Sequence, residues 1–262
     1  MMTKTSKRST SKKQNHDAEI VLEIHLNQVF TNSASREMYE DIYRQSDISQ
    51  RESFYIWLLD ILDLKPEDKY LDVSCGLAQL VALAQESGVS AHGLDSSFEA
   101  LLSARKATKR FQLVMGDAQN LPYASNSFTV ISNIGSIEHY VDMNEAVGEM
   151  FRILVPGGRA FVLVPNTFSL LHNIWTAFKE GRTYIDNQPI QRYAARQEWQ
   201  RLLEKNGLIV DKILKYETET PRTWGDWKCY FQHPKLMVRM LLSPFVPLNL
   251  AFCFLFLIRK PS

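Results

Sequence analysis

Between residues 70 and 164 the chain alternates short apolar runs with longer segments whose apolar residues recur every three or four positions. Residues 70–73, 89–94, 111–115, 128–132 and 160–164 are short, apolar and bounded by turn formers, and they read as strands. Residues 77–85, closed near Gly88, and 97–106, opened by a serine cap, read as helices. So do 143–154, where Met143, Ala146, Val147, Met150, Ile153 and Leu154 form one apolar face that Pro156-Gly157-Gly158 stops. A helix over 196–206, ended by Gly207, and a strand over 208–216 extend the series. Strands spaced by helices in this way predict an α/β fold: a mostly parallel sheet with helices on both faces. Ligands of such sheets sit at the carboxyl ends of the strands, near the point where strand order reverses.

Composition narrows the function. Of the 262 residues, 45% are hydrophobic and 23% charged, enough apolar side chain for a full core. With 30 Lys and Arg against 29 Asp and Glu, the net charge is +1, so nucleic acid is not expected as the main partner. Cys75, Cys229 and Cys253 form no CxxC pair and are too few for a disulfide framework, which points to a reducing, cytoplasmic setting.

The ends differ from the middle. Residues 1–16 carry Lys4, Lys7, Arg8, Lys12 and Lys13 with no acid and no apolar core, a disordered basic tail rather than a secretory signal. The rest, 17–262, reads as one domain with an N-terminal helical cap over about 17–65 and a cap insertion over about 166–195. Residues 240–258 hold no charge, but Pro244, Pro247 and Asn249 interrupt any spanning helix. Its uninterrupted part, 250–258, has the length of a buried strand, with room for a peripheral membrane contact through 236–246 beside it.

The loops after the first four strands carry the chemistry. In Asp72-Val73-Ser74-Cys75-Gly76-Leu77-Ala78, small residues let a ligand approach the backbone, and the next helix aims free N–H groups at it. Asp95, at the end of the second strand, can accept from both hydroxyls of a ribose. After the third strand, Asp117 can accept from an exocyclic amine, and the Ala118 N–H can donate to a ring nitrogen. The fourth strand leads into Asn133-Ile134-Gly135-Ser136-Ile137-Glu138-His139, where Gly135 permits close approach and Glu138 and His139 line the same opening.

Taken in order, these loops and Pro156-Gly157-Gly158 resemble the motifs of the class I S-adenosylmethionine-dependent methyltransferases, in particular the small-molecule, type 11-like subgroup. The resemblance spans about residues 55–215. It implies a Rossmann-like seven-stranded sheet, mostly parallel, with a final strand running antiparallel beside the fifth, a place that suits 250–258. It implies S-adenosyl-L-methionine as cofactor, held by Asp72, Ser74 and Gly76 at the methionyl part, Asp95 at the ribose and Asp117 with Ala118 at adenine. Asn133 and Gly135 complete that set, and no metal is implied. Ser74 and Ala78 stand where the family has glycine, which bears on turn geometry and cofactor affinity.

Methyl transfer from a sulfonium needs alignment above all, so His139 is the candidate base where the acceptor is a hydroxyl or a protonated amine. The acceptor expected is a small molecule, a glycan or a lipid intermediate. Tyr39, Tyr43, Tyr55 and Trp57 from the N-terminal region, or Phe168, His172, Trp175, Phe178 and Tyr184 from the insertion, would wall its site. Two other readings stand beside this one: a cofactor-binding but inactive scaffold, and an NAD-dependent oxidoreductase. The latter lacks G-x-G-x-x-G, having Ser74, Gly76 and Gln79 at those places.

Overall fold

The computed structural model describes residues 21–26, 29–45, 48–107, 112–186 and 188–262, so the basic stretch 1–16 lies outside the described residues. In chain order, β1 (Val21–His25), α1 (Asn32–Gln45) and α2 (Glu52–Leu62) come first. The alternating part follows: β2 (Lys69–Val73), α3 (Gln79–Glu86), β3 (Ser90–Asp95), α4 (Phe98–Ala107), β4 (Gln112–Met115), β5 (Phe128–Ile134), α5 (Met143–Ile153) and β6 (Leu154–Pro165). Next are α6 (Trp175–Glu180), β7 (Ile190–Ala194), α7 (Arg196–Lys205), β8 (Ile209–Tyr216), α8 (Trp224–Gln232), α9 (Pro234–Leu242) and β9 (Cys253–Arg259).

Seven strands form one sheet in the order β4-β3-β2-β5-β6-β9-β8. The first five are parallel, and β9 runs antiparallel to both β6 and β8. This is the Rossmann-like sheet that the loop motifs imply. Strand order reverses between β2 and β5: the chain leaves β2 to build β3 and β4 on one side, then returns to build β5 on the other. A crevice opens at the carboxyl ends there. The core is two apolar layers. Leu71, Ile131, Val162 and Phe256 face one, while Tyr70, Val130, Phe161 and Leu255 face the other. Residues two apart share a face, so β9, with Phe254 and Phe256 on one side and Leu255 on the other, is covered on both.

Local chemistry sets the helix ends. The Asp142 side chain accepts the N–H groups of Asn144 and Glu145 to start α5, and Ser97 Oγ accepts the Ala100 N–H at 3.1 Å to start α4. Two boundaries lie three or more residues from the sequence reading. First, β6 begins at Leu154 directly after α5, because Pro156-Gly157-Gly158 bends the strand instead of preceding it. Gly157 has φ +74°, and a side chain on Gly158 would come within 2.8 Å of the Val155 carbonyl, so the bend admits only glycine. Second, β9 begins at Cys253, since Leu248–Leu250 forms a 3₁₀ turn closed by the Ala251 N–H on the Leu248 carbonyl. Pro244 and Pro247 lie in the connection before it, as their chemistry requires. A further two-stranded antiparallel sheet, β1 with β7, has no counterpart in the sequence reading.

Candidate active site

The loop from β2 to α3 winds through left-handed conformations at Ser74 (φ 62°), Gly76 (φ 52°) and Ala78 (φ 57°). Ser74 and Ala78 thus hold the conformation glycine takes freely, and each has a local compensation. Ser74 Oγ is hydrogen bonded to the Tyr140 hydroxyl at 2.7 Å, and the Ala78 methyl is fully buried. At Gly76 a side chain is excluded: a Cβ there would lie 2.8 Å from the Tyr43 hydroxyl. The Gly76 N–H donates to Asp95 Oδ2 at 2.8 Å, and the Ser97 N–H donates to Asp95 Oδ1 at 2.9 Å. Asp95 therefore ties this loop to the start of α4. Burial pushes its acid above the ordinary value, against the pull of those backbone N–H groups.

Asp72 is buried at the end of β2 and accepts from Ser132 Oγ at 2.5 Å. Burial, with the Asp95 charge adding to it, pushes Asp72 up to about 7. Asp117 accepts the Gln119 N–H at 2.9 Å and the Asn32 side-chain amide at 2.8 Å, so it anchors the start of α1. Ala118 is buried beside it.

Asn133 does not reach the cavity that these loops enclose. Its amide donates to the Val73 carbonyl and to the Tyr140 hydroxyl, and its oxygen accepts the Ile137 N–H at 3.0 Å. It holds the loops from behind, because a fully buried amide must satisfy all its groups within the protein. Gly135 does line the cavity, with φ +64° and its N–H on the Leu163 carbonyl.

His139 ends a 3₁₀ turn (Ile137–His139) after β5. Its Nδ1 is hydrogen bonded to the Ile190 carbonyl, which assigns the proton to Nδ1 and leaves Nε2 as an acceptor. Burial lowers its pKa, so the ring is neutral at physiological pH. Nε2 lies 3.8 Å from Glu138 Oε1, and burial pushes the Glu138 acid up to about 8. The turn is held by Arg192 of β7, whose guanidinium donates to the carbonyls of Glu138, Tyr140 and Val141 and pairs with Glu23 of β1 at 2.7 Å. The small β1–β7 sheet is thus the scaffold that orients the His139 turn.

Helix α1 closes the top. Glu40 accepts from Ser97 Oγ and from the Phe98 and Glu99 N–H groups at the start of α4, a position where a carboxylate is stabilised. Arg44 adds a contact to Glu99, and Tyr39 donates to Gln188 at 2.9 Å. The enclosed cavity measures about 430 Å³. It brings together Asp72, Ser74, Gly76, Asp95, Asp117, Ala118, Gly135 and His139 under Tyr39, Tyr43 and Tyr55.

Of the two expected walls, only the N-terminal one faces this space. Trp57 packs on Tyr216 at 4.9 Å, while Phe168, Trp175 and Phe178 are exposed. His172 and Tyr184 pack on each other, 4.1 Å between ring centres. Sequence reasoning missed Glu40, Tyr140 and Arg192. Nothing local marks them: Glu40 meets Ser97 from 57 positions away, and Arg192 meets Glu138 from 54.

A family model described as a methyltransferase domain matches residues 71–162. The uncharacterized protein YafE of Escherichia coli (strain K12) is 30% identical over 164 residues, covering 62% of this chain and 76% of YafE. Methyltransferase GfsG of Streptomyces halstedii is 31% identical over 177 residues; the match covers 63% of this chain and 62% of GfsG. The crystal structure of the [4+2]-cyclase SpnF superposes with a TM-score of 0.64 at 14% identity, over 88% of this chain and 97% of that one, a likeness of fold alone.

Proposed function

This chain belongs to the class I S-adenosylmethionine-dependent methyltransferases, and we propose that it moves the methyl group to a small, partly apolar acceptor seated under α1. S-adenosylmethionine is its cofactor. The residues fit that group. Gly76 and Gly135 leave the cavity wall without side chains, and the Asp95 carboxylate, having accepted two N–H groups, keeps lone pairs for a diol. A buried carboxylate with no cation beside it among the described residues gains from such donors.

In this reading Asp95 holds the ribose, Asp117 and the Ala118 N–H hold adenine, and Ser74, Gly76 and Asp72 surround the methionyl part. Gly135 leaves room, and Asn133 and Tyr140 fix the loops behind. Bound, the cofactor supplies a methyl group on a sulfonium, an already activated leaving group. The chain then has to align and to exclude water. Tyr39, Tyr43 and Tyr55 form the acceptor wall, so residues 17–65 act as the cap. Neutral His139 offers Nε2 to an acceptor that must lose a proton, while alignment supplies most of the acceleration. All three cysteines are free thiols, in keeping with a cytoplasmic, reducing compartment.

The observation that carries this reading is the convergence on one cavity of the carboxyl-end loops, an aromatic roof and an imidazole oriented by the Ile190 carbonyl. The test is incubation with methyl-labelled S-adenosylmethionine and separate lipid, glycan and small-molecule fractions of a cell extract. Label is expected in one of these fractions. Label confined to protein or nucleic acid would overturn the acceptor class.

A further inference from the structure

The surface carries one face that the catalytic reading does not use. Helix α8 turns Asp226 and Tyr230 inward and presents Trp224, Trp227 and Phe231 outward, at positions one, four and eight of the helix. Trp224 is 88% exposed and Phe231 70%. Next, α9 presents Val238, Leu241 and Leu242, and Phe245 follows at 81% exposure. The segment after β6 adds Trp175 and Phe178, the latter also 81% exposed. These two parts meet at Phe252. Its ring packs against His172, 4.9 Å between centres, and lies beneath the Arg239 guanidinium at 4.2 Å.

So much exposed aromatic surface on one side marks a contact site, and the charges around it specify the partner. Lys228 and Lys235 of α8 and α9 and Lys179 of α6 are exposed. The acids of the 218–250 segment are turned inward: Asp226 accepts from Ser53 and Thr223, and Glu219 pairs with Arg51. Glu180 is paired with Arg182 at 2.7 Å. The face is therefore cationic at its rim and rich in Trp and Phe, the composition that seats a surface helix in the headgroup region of an anionic bilayer. No described helix is long and apolar enough to cross a membrane, so the contact is with its surface.

We propose that the face formed by α8, α9 and the 168–178 segment docks on an anionic lipid bilayer. Its place in the fold gives the docking a purpose. Pro165 of β6, Tyr216 of β8 and Cys253 of β9 are registered partners, so α6, α8 and α9 all leave the same carboxyl edge that holds the cofactor cavity. A chain of ring contacts joins the two: cavity-lining Phe54 touches Tyr216 at 5.3 Å, and Tyr216 lies 6.4 Å from Phe252. Docked this way, the protein meets a lipid-borne acceptor at the cavity edge. That last consequence rests on the methyltransferase reading, whereas the docking itself does not.

The experiment is flotation of the full chain with vesicles of phosphatidylcholine alone and of phosphatidylcholine mixed with phosphatidylglycerol. We expect flotation with the mixed vesicles, weakened by added salt. The pair Lys228→Glu and Lys235→Glu should lower it by about 25-fold or more, at about fivefold per cation removed. The pair Phe231→Ser and Phe245→Ser should abolish it. All variants should titrate S-adenosylmethionine as the unaltered chain does, which separates failure of docking from failure of the enzyme reading. Chain that stays below the mixed vesicles overturns the proposal, as does flotation of both variants to the extent of the unaltered chain. A dimer that Phe231→Ser and Phe245→Ser dissolves, without vesicle binding, would give the face to a second copy instead.

Discussion

Replacing Asp95 by alanine separates two jobs of one carboxylate. In the free protein it accepts the Gly76 N–H at 2.8 Å and the Ser97 N–H at 2.9 Å. Alanine leaves both donors without that partner. Gly76 lines the cavity and regains water, whereas Ser97 is fully buried and does not. A hydrogen bond to a charged acceptor is worth about 1.5–3 kcal/mol, and the relieved desolvation of the carboxylate offsets part of the loss. The cofactor-free protein should therefore lose about 1–3 kcal/mol of stability in urea unfolding. Loss of the bonds to a ribose diol should also weaken S-adenosylmethionine by about 2–4 kcal/mol, or about 30- to 1,000-fold in Kd by isothermal titration. Asp95→Asn keeps one acceptor oxygen and should fall between. Stability within about 0.5 kcal/mol of the unaltered chain, together with an unchanged Kd, would refute both roles. Lost stability with an unchanged Kd would leave Asp95 a brace and remove the ribose from its account.

Gly76→Ala forces a Cβ into a left-handed residue and against the Tyr43 hydroxyl, so about 2–4 kcal/mol of destabilisation is expected; Tyr43→Phe beside it should restore the part due to the contact, and no restoration would show the contact to be irrelevant. His139→Ala should lower turnover by less than the roughly 10²–10⁴-fold of a true general base, and a larger loss with cofactor binding intact would make His139 the base. Asp72 has a higher pKa in the folded chain, about 7, than the ordinary 3.8, so the folded state holds its proton more tightly and stability falls as pH rises through that window. Asp72→Asn should flatten that slope in urea unfolding between about pH 4 and pH 8, and an unaltered slope would disprove the assignment. Truncation after Pro247 removes β9 from between β6 and β8 and should give insoluble chain; recovery of soluble, cofactor-binding protein would contradict the sheet order.

Much of the sheet was readable because its signals are local. Apolar runs and caps such as Ser97 and Asp142 set most boundaries within a residue or two. The loop pattern likewise named several residues that line the cavity, but Asn133 and Glu138 do not line it; the polarity of Asn133 looked like binding and turned out to be internal support. What the sequence hid is what non-local pairing decides. Pro156-Gly157-Gly158 reads as a stop, yet pairing of Leu154 with Phe128 draws it into β6. The insertion aromatics have the same spacing as those of α1, and only the packed fold shows that Tyr39 and Tyr43 roof the cavity while Trp175 and Phe178 face outward. Glu40 resembles any helix-surface acid until it meets the start of α4.

The place of β9 between β6 and β8 also governs how the molecule is made. On the ribosome, β6 emerges long before β9, and β8 has no strand to join until β9 arrives. During that interval the outer edge of β6, with Phe161, Val162 and Leu163, offers unpaired backbone groups and apolar side chains to any passing strand. Closure of the sheet is thus a late, long-range event, slow by the usual dependence on sequence separation. A nascent chain stalled after β8 is the species that chaperones would have to shield.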